Sequence, residues 1–265
     1  MKIKVLLLFL CFFYLHSQEK EKILFIGNSF TFYWNLPTQT EKMGLERGFP
    51  WEIHQSTAGG ATLKDHWIGN KGLKTKNIIS TTQFDRIVFQ EQSTMPIHFM
   101  DSTYSYFKAL KNLITEKTQL YFYATWTYPN ALFEKFPSSL NPIHSQLEKY
   151  LATEPIQIVP VGKAFDLFKK KYPEIHLLTD DFKHPNPAGS YLAACVFYVT
   201  FSGQSSKGLS RRYSGKDEEG KSIYYSIVEA HVAAACQQIA DEVVFGNESS
   251  IRTKRESTAI SYKTK

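Results

Sequence analysis

The sequence contains little cysteine. Only three of the 265 residues are cysteines, too few for a fold held together by several disulfides. Cys11 lies in an apolar N-terminal segment, and Cys195 and Cys236 lie in apolar, helix-like sequence that is compatible with one disulfide or with two buried thiols. The eight histidines form no His-Glu-x-x-His motif and no close His/Cys pair. We therefore predict neither a metal centre nor a cofactor.

The sequence also lacks an apolar run long enough for a stable membrane span. The N-terminal run, residues 5–15, has only eleven residues and follows a short basic start. This layout is typical of a signal peptide, so we predict one over residues 1–17, with cleavage near Ser17. Cys11 lies inside the run rather than after it, which argues against a lipid anchor. The expected location is the periplasm or the extracellular space.

The net charge of +6 comes from the two ends of the chain. Lys2 and Lys4 belong to the predicted signal peptide, and the last fifteen residues carry five basic residues against one acidic residue. Residues 18–250 are therefore about neutral, and the basic pI does not indicate a nucleic-acid-binding surface. We predict a folded domain over residues 18–246 and a flexible basic tail over 247–265. The sequence does not indicate an oligomeric state.

Short apolar segments alternate with helix-like segments along the chain. We predict five buried strands, at residues 22–26, 51–56, 85–90, 120–126 and 156–161. A polar excursion is expected over 203–221, with the last helix beginning near Ser222. The alternation predicts an α/β fold, a three-layer α/β/α sandwich around a five-stranded parallel sheet. In such sheets the functional residues follow the carboxyl ends of the strands.

Three of these strand ends carry residues suited to acyl transfer. Gly27–Ser29 follows the first strand, and a serine at a strand-to-helix turn is either an exposed nucleophile or an ordinary N-cap. Gly59–Gly60 follows the second strand, where glycine lets a backbone N–H approach a ligand or simply forms a turn. Gln90–Gln92 follows the third strand, and a side-chain amide can donate a hydrogen bond to an oxyanion.

An aspartate and a histidine lie three residues apart late in the predicted domain. In a turn before a helix, this spacing places the Asp181 carboxylate against one ring nitrogen of His184 and leaves the other nitrogen to take a serine proton. Asn186 and Pro187 are typical of the N-cap and first position of the helix that follows. An unrelated surface Asp and His are the alternative interpretation.

Together these four segments resemble the SGNH hydrolase superfamily, also called GDSL-like lipases and esterases, over nearly the whole mature chain. The resemblance implies a flavodoxin-like α/β/α fold and a serine hydrolase that acts on ester bonds. It also implies a catalytic triad of Ser29, Asp181 and His184. Within the superfamily, the strings around these residues look most like an uncharacterised bacterial branch.

One block departs from the superfamily pattern. The third block usually supplies an Asn, and here Gln92 takes that position, with Gln90 as the other candidate. The resemblance then implies an oxyanion hole made of the Ser29 and Gly60 N–H groups and the Gln92 amide.

Several further side chains are candidates for the substrate pocket, and each is also explained by packing. They are Gln90, His66, Trp67, Trp34, Trp126 and His98. Aromatic side chains in an exported bacterial protein suit sugar rings, so we predict a small-molecule or carbohydrate ester as substrate, with deacetylation of a carbohydrate as one possibility. The alternative is a non-catalytic carbohydrate-binding protein of the same fold. The joint presence of Ser29, Asp181 and His184 argues against that alternative.

Overall fold

The computed structural model describes residues 19–128 and 142–246. The predicted signal peptide at 1–17 and the predicted tail at 247–265 lie outside the described residues and stay predictions. Within the described ranges, no helix is both long enough and apolar enough to cross a membrane.

Five parallel strands form the central sheet. They are β1 Glu21–Gly27, β2 Trp51–Thr57, β3 Arg86–Phe89, β4 Gln119–Tyr123 and β5 Ile156–Val159. Their order in the sheet is β2-β1-β3-β4-β5, the flavodoxin-like order. The direction of winding changes between β1 and β3, and in open sheets of this kind the ligand crevice lies at that point, beyond the carboxyl ends of the strands.

Helices cover both faces of this sheet. The described residues form α1 Ser29–Phe32, α2 Leu36–Glu46, α3 Leu63–Ile68, α4 Thr75–Thr81, α5 Met95–His98, α6 Met100–Lys111, α7 Pro142–Tyr150, α8 Val161–Lys171, α9 Pro187–Ser202 and α10 Ala230–Phe245. Short 3-10 turns occur at Tyr33–Asn35 and Asn70–Gly72. Asn186 caps α9 through a 3.0 Å hydrogen bond from the Gly189 N–H, and Pro187 opens the helix as the sequence predicts.

The strands are apolar on both faces because each face packs against its own helix layer. Ile23 and Phe25 of β1 join a core with α2, α8, α9 and α10, while Leu24 and Ile26 join a second core with α3, α4, α6 and α7. Successive side chains of a strand point to opposite faces, so one continuous apolar run supplies both cores. The predicted three-layer sandwich with a five-stranded parallel sheet is confirmed.

The expected helix start near Ser222 is wrong. Ser222–Ile227 is a strand, β7, that pairs antiparallel with β6 at Arg212–Lys216, and the last helix begins only at Ala230. Most side chains of this hairpin are exposed, with Tyr213 and Ser226 as the buried exceptions. Its sequence therefore shows no apolar alternation from which a strand could be predicted.

Two smaller boundaries also differ from the prediction. The fourth strand ends at Tyr123, and the fifth ends at Val159 because Pro160 caps helix α8, which begins at Val161. Cys195 and Cys236 are both buried and both free, so the two-thiol alternative is the one that the structure contains.

Candidate active site

Ser29 lies at the turn where β1 passes into helix α1. The backbone of the preceding residue, Asn28, is extended, and its Oδ1 accepts a hydrogen bond from the Phe30 N–H at 3.1 Å. Asn28 is therefore the N-cap, and the Ser29 hydroxyl has no capping role. Ser29 itself is half-buried. This geometry removes the N-cap interpretation of Ser29 that the sequence left open.

The His184 ring lies between Ser29 and Asp181. Its Nε2 is 2.9 Å from Ser29 Oγ, and its Nδ1 is 2.6 Å from Asp181 Oδ2. An ionised carboxylate only accepts hydrogen bonds, so we assign the ring proton to Nδ1. The lone pair of Nε2 then faces the serine hydroxyl. The three side chains have the geometry of a nucleophile, a general base and an orienting carboxylate.

Asp181 is held by its own loop as well as by the histidine. Its Oδ1 accepts hydrogen bonds from the Lys183 and His184 N–H groups, both at 2.9 Å, and from Thr179 Oγ1 at 2.7 Å. Partial burial works to raise the pKa of Asp181. The hydrogen bonds from the His184 ring, the Thr179 hydroxyl and the two N–H groups outweigh it and hold that pKa well below its usual range. The carboxylate is thus ionised at neutral pH.

Two tryptophans hold the backbone of the loop that carries His184. Trp34 Nε1 donates to the Pro185 carbonyl at 2.8 Å, and Trp126 Nε1 donates to the Lys183 carbonyl at 3.0 Å. Trp126 is only 1% exposed, so it supports the loop from the protein interior and does not line a substrate pocket. Its candidacy as a pocket residue is corrected on that ground.

Aromatic residues lie in or beside the segments that hold His184. The Tyr33 ring stacks on the imidazole with a centroid distance of 4.4 Å and an interplanar angle of 12°. Trp34 and Phe182 are 44% and 66% exposed, and both have positive φ values, 50° and 55°. Bulky residues rarely adopt this left-handed conformation, which persists only where the surrounding structure enforces it. The fold thus holds two exposed aromatic residues, one in the base loop and one hydrogen-bonded to it, at a conformational cost.

Gly60 lies three residues beyond β2, on one side of Ser29. β2 pairs with β1 in register up to Gly27 and Thr57, so the loop after β2 begins level with the nucleophile turn. Gly60 has a φ of +60° and is exposed, a conformation that glycine adopts without strain. Within the described residues, neither its N–H nor that of Ser29 has a hydrogen-bond acceptor. Both groups are available to an oxyanion.

Gln92 lies three residues beyond β3, on the other side of Ser29. Its Oε1 accepts hydrogen bonds from the Thr94 N–H at 3.0 Å and from Thr94 Oγ1 at 2.7 Å. A backbone N–H can only donate, so this contact identifies the oxygen of the amide. In the part of the chain that the structure describes, the Gln92 NH₂ group has no acceptor and is available to donate.

Gln90, the other candidate donor, has no free amide group. It is 0% exposed, its Oε1 accepts from the Asn28 N–H at 2.8 Å and from Thr31 Oγ1 at 3.0 Å, and its Nε2 donates to the Glu91 carbonyl. Gly27 makes room for this amide, because a Cβ at Gly27 would lie 2.5 Å from Gln90 Oε1. The position of Gln90 fits a support for the nucleophile turn and does not fit contact with substrate.

His66 also supports the nucleophile turn from inside the protein. It is 0% exposed, its Nε2 is 3.0 Å from the Gly27 carbonyl, and its Nδ1 is 2.7 Å from Thr75 Oγ1. Burial lowers its pKa to about 4, so the ring is neutral at neutral pH. With both nitrogens bonded inside the fold, His66 has no atom available to a substrate, which corrects its candidacy as a pocket residue.

The two remaining pocket candidates have less distinctive positions. Trp67 is half-buried against the core on its face of the sheet, and Lys76 Nζ lies 4.8 Å from the centre of its ring. His98 ends helix α5 and is half-buried. Neither side chain contacts the Ser29–His184 pair in the described contacts.

Glu91 also belongs to the site, although it is not among the residues predicted from the sequence. It is 3% exposed, and its Oε1 accepts hydrogen bonds from the Leu63 N–H at 3.1 Å and the Gln92 N–H at 2.7 Å. Burial raises its pKa to about 7, more than the two N–H groups and the Thr103 hydroxyl lower it. A glutamate in a loop is usually exposed, so the sequence offered no signal of this role.

The fold described above is that of the SGNH hydrolases. Comparison of the sequence with protein-family models and with curated proteins gives no match. Among solved structures, the fold is similar to a DUF4886 family protein from Bacteroides uniformis (TM-score 0.66, 18% identity, 86% of this chain and 96% of that one). It is similar to a candidate SGNH hydrolase from Slackia heliotrinireducens (0.55, 23%, 69% and 100%) and to an acetyl xylan esterase from Geobacillus stearothermophilus (0.50, 14%, 68% and 93%).

These identities are low enough that the likeness establishes the fold alone. The activity of this chain has to be argued from its own site. Within residues 19–128 and 142–246, no group of three or more His, Cys, Asp or Glu side chains is arranged to hold a metal ion.

Proposed function

We propose that this protein is a serine esterase that hydrolyses carboxylic esters through an acyl-enzyme on Ser29. The observation that carries the proposal is the chain of contacts from Ser29 Oγ through His184 to Asp181, at 2.9 and 2.6 Å. The chain lies beyond the carboxyl ends of the strands, where ligands bind in open α/β sheets.

In the first half of the reaction, Ser29 Oγ attacks the ester carbonyl while its proton passes to His184 Nε2. The carbonyl oxygen becomes an oxyanion, which accepts hydrogen bonds from the Ser29 and Gly60 N–H groups and from the Gln92 amide. The tetrahedral intermediate then expels the alcohol, which takes the proton from His184. Asp181 keeps the ring oriented and stabilises its charged form throughout.

In the second half, water replaces the alcohol. His184 takes a proton from the water, whose oxygen attacks the acyl carbon, and the same three donors stabilise the second oxyanion. Collapse of this intermediate returns the proton to Ser29 Oγ and releases the carboxylic acid. The cycle consumes one water and needs no cofactor.

For the alcohol portion of the substrate we propose a carbohydrate, with an acetyl group as the acyl part. The support is the exposed ring of Trp34, fixed through Pro185 one residue from His184. The C–H face of a sugar ring packs well on the negative face of an aromatic ring. The fold-level likeness to an acetyl xylan esterase agrees with this choice.

We also propose that the protein acts after export, on the strength of the N-terminal sequence. Expression of the full chain in a bacterial host, fractionation and N-terminal sequencing test this. Recovery outside the cytoplasm with a new N-terminus near Gln18 would support export, whereas an intact Met1 in the cytoplasm would contradict it.

Labelling with a fluorophosphonate probe tests the nucleophile directly. The wild type is expected to be labelled and to hydrolyse para-nitrophenyl acetate, and Ser29→Ala is expected to lose both, with activity falling by several orders of magnitude. Ser105→Ala, an exposed serine on α6, serves as the matched control and should behave like the wild type.

The same experiment separates an enzyme from a binding protein. A non-catalytic carbohydrate-binding protein would bind an acetylated oligosaccharide in calorimetry but would neither be labelled nor release acetate. Labelling that persists in Ser29→Ala would refute the assignment of the nucleophile. A substrate panel of para-nitrophenyl esters, acetylated xylan and acetylated monosaccharides then identifies the acyl and alcohol groups.

A further inference from the structure

A buried carboxylate lies between the two loops that carry the candidate oxyanion donors. Glu91 is 3% exposed and takes no part in the triad. One of its oxygens, Oε1, accepts from both the Leu63 and Gln92 N–H groups, at 3.1 and 2.7 Å. The other, Oε2, accepts from Thr103 Oγ1 at 3.4 Å. No step of the proposed mechanism uses this group.

The two N–H groups belong to different strand-end loops. Leu63 is the first residue of α3 and follows Gly60 by three residues, so its N–H is one of the helix N-terminal donors without a partner inside the helix. The other N–H is that of Gln92 itself. A single oxygen of Glu91 thus fixes the distance between the Gly60 loop and the Gln92 loop.

A second bond ties the Gly60 loop to the nucleophile turn. Asn28 Nδ2 donates to the Ala61 carbonyl at 2.9 Å, and Asn28 directly precedes Ser29. The segments that carry the three oxyanion donors are therefore connected by side-chain hydrogen bonds at the end of the sheet, beyond the last backbone pairing between strands.

Burying a carboxyl group at this position costs free energy, and filling the space would not by itself require that cost. A buried carboxyl group is unfavourable unless it is hydrogen-bonded, and its carbonyl oxygen accepts bonds from N–H groups whether or not the group is ionised. Donors that stabilise an oxyanion have to be in place before the reaction, because their value depends on not having to reorganise.

We infer that Glu91 is a positioning residue, which sets the spacing of the Gly60 and Gln92 donors for the oxyanion by binding the backbone of both loops. This inference rests on the proposed esterase function. Glu91 acts through these donors and does not touch the substrate.

The test compares three variants of Glu91 with a matched control. Glu91→Gln keeps an oxygen at the position of Oε1 that accepts both N–H bonds. Glu91→Ala removes the acceptor, and Glu91→Asp keeps the carboxyl group but shortens the reach by one methylene. Glu154→Ala is the control, since Glu154 is a similarly enclosed carboxylate that bonds Tyr104, Lys108 and Lys111 near the opposite end of the sheet.

Active sites are counted by fluorophosphonate labelling, so that kcat is expressed per reactive Ser29. Misfolded protein is then excluded from the enzyme concentration used to calculate kcat. Glu91→Ala is expected to lower kcat for para-nitrophenyl acetate about 10²-fold with KM changed less than threefold, as for loss of an oxyanion donor. Glu91→Asp should fall between, and Glu91→Gln should recover kcat to within about tenfold of the wild type. Glu154→Ala should keep the wild-type kcat per site.

The outcomes separate this inference from the proposed function. A wild type without Ser29-dependent labelling would refute the proposed function. An active wild type with Glu91→Ala equal to Glu154→Ala, or with Glu91→Gln no better than Glu91→Ala, would overturn the positioning role alone. Should Glu91→Ala fail to fold, Glu91→Asp takes its place in the comparison. A kcat of Glu91→Gln no higher than that of Glu91→Asp would then overturn the positioning role.

Discussion

The buried carboxyl of Glu91 should make the stability of the protein depend on pH in a defined direction. Burial raises its folded pKa to about 7 from an ordinary value of 4.5, with Asp65 adding a small push the same way. Below pH 4.5 the group is neutral in both the folded and unfolded states. Between pH 4.5 and 7 the unfolded chain loses the proton before the folded protein does, so stability falls as pH rises.

The size of this loss follows from the shift. One pKa unit corresponds to about 1.4 kcal/mol, so Glu91 should destabilise the native protein by roughly 3 kcal/mol on going from pH 4.5 to above 7. Glu91→Gln removes the titration and keeps the shape. The difference in unfolding free energy between the two proteins should therefore move by roughly 3 kcal/mol in favour of the variant as pH rises.

Urea unfolding followed by tryptophan fluorescence measures this difference at pH 4.5, 5.5, 6.5 and 7.5. Groups common to both proteins, such as Asp166, whose pKa burial raises to about 6, cancel in the comparison. Equal m-values in the two proteins show that the unfolding reaction itself is unchanged. A difference that stays constant within about 0.5 kcal/mol across this range would refute a raised pKa at Glu91.

Three further changes test other parts of the site. The contribution of His66 to stability depends on pH in the opposite direction. Burial lowers its pKa to about 4, so the unfolding free energy of the wild type should fall by roughly 3 kcal/mol as pH drops from 6.5 to 4. Parallel curves of unfolding free energy against pH for His66→Gln and the wild type would contradict this. Gly27→Ala should cost about 1–3 kcal/mol in thermal unfolding because its Cβ meets two side-chain oxygens within 2.5 Å, whereas Gly59→Ala, whose Cβ meets nothing within 4 Å, should not. Trp34→Ala should raise KM about tenfold for an acetylated oligosaccharide but not for para-nitrophenyl acetate, and equal effects on both would show that Trp34 serves only the base loop.

The sheet and the base could be predicted because each rests on a local pattern. A buried parallel strand is a short apolar run whatever it packs against, so each of the five strands can be predicted from its own segment of sequence. The Asp181–His184 contact needs only a tight turn, and its members are three residues apart. Asn186 and Pro187 then mark the helix that ends this turn, which is also a local signal.

The surroundings of Ser29 could not be predicted in the same way because they depend on contacts distant in sequence. Gln90 reaches back 62 residues to Asn28, and His66 reaches back 39 residues to Gly27. In the sequence both are pocket candidates, because Gln90 follows a strand and His66 follows the Gly59–Gly60 turn. A polar side chain after a strand has two possible partners, a ligand or the neighbouring strand end, and sequence spacing does not distinguish them.

This difference in origin has a consequence for how the site responds to mutation. The base is built within one loop, so a change at Thr179 or Asp181 should alter the orientation of His184 without moving the oxyanion donors. The donors, in contrast, come from three strand ends, and side-chain hydrogen bonds of Asn28 and Glu91 connect the loops that carry them. Loss of either connection should therefore lower kcat while the contact between Ser29 and His184 remains. In Asn28→Ala and Glu91→Ala, the rate of fluorophosphonate labelling and the rate of ester turnover can both fall. The two rates should fall by different factors only if the two reactions depend to different extents on aligned donors.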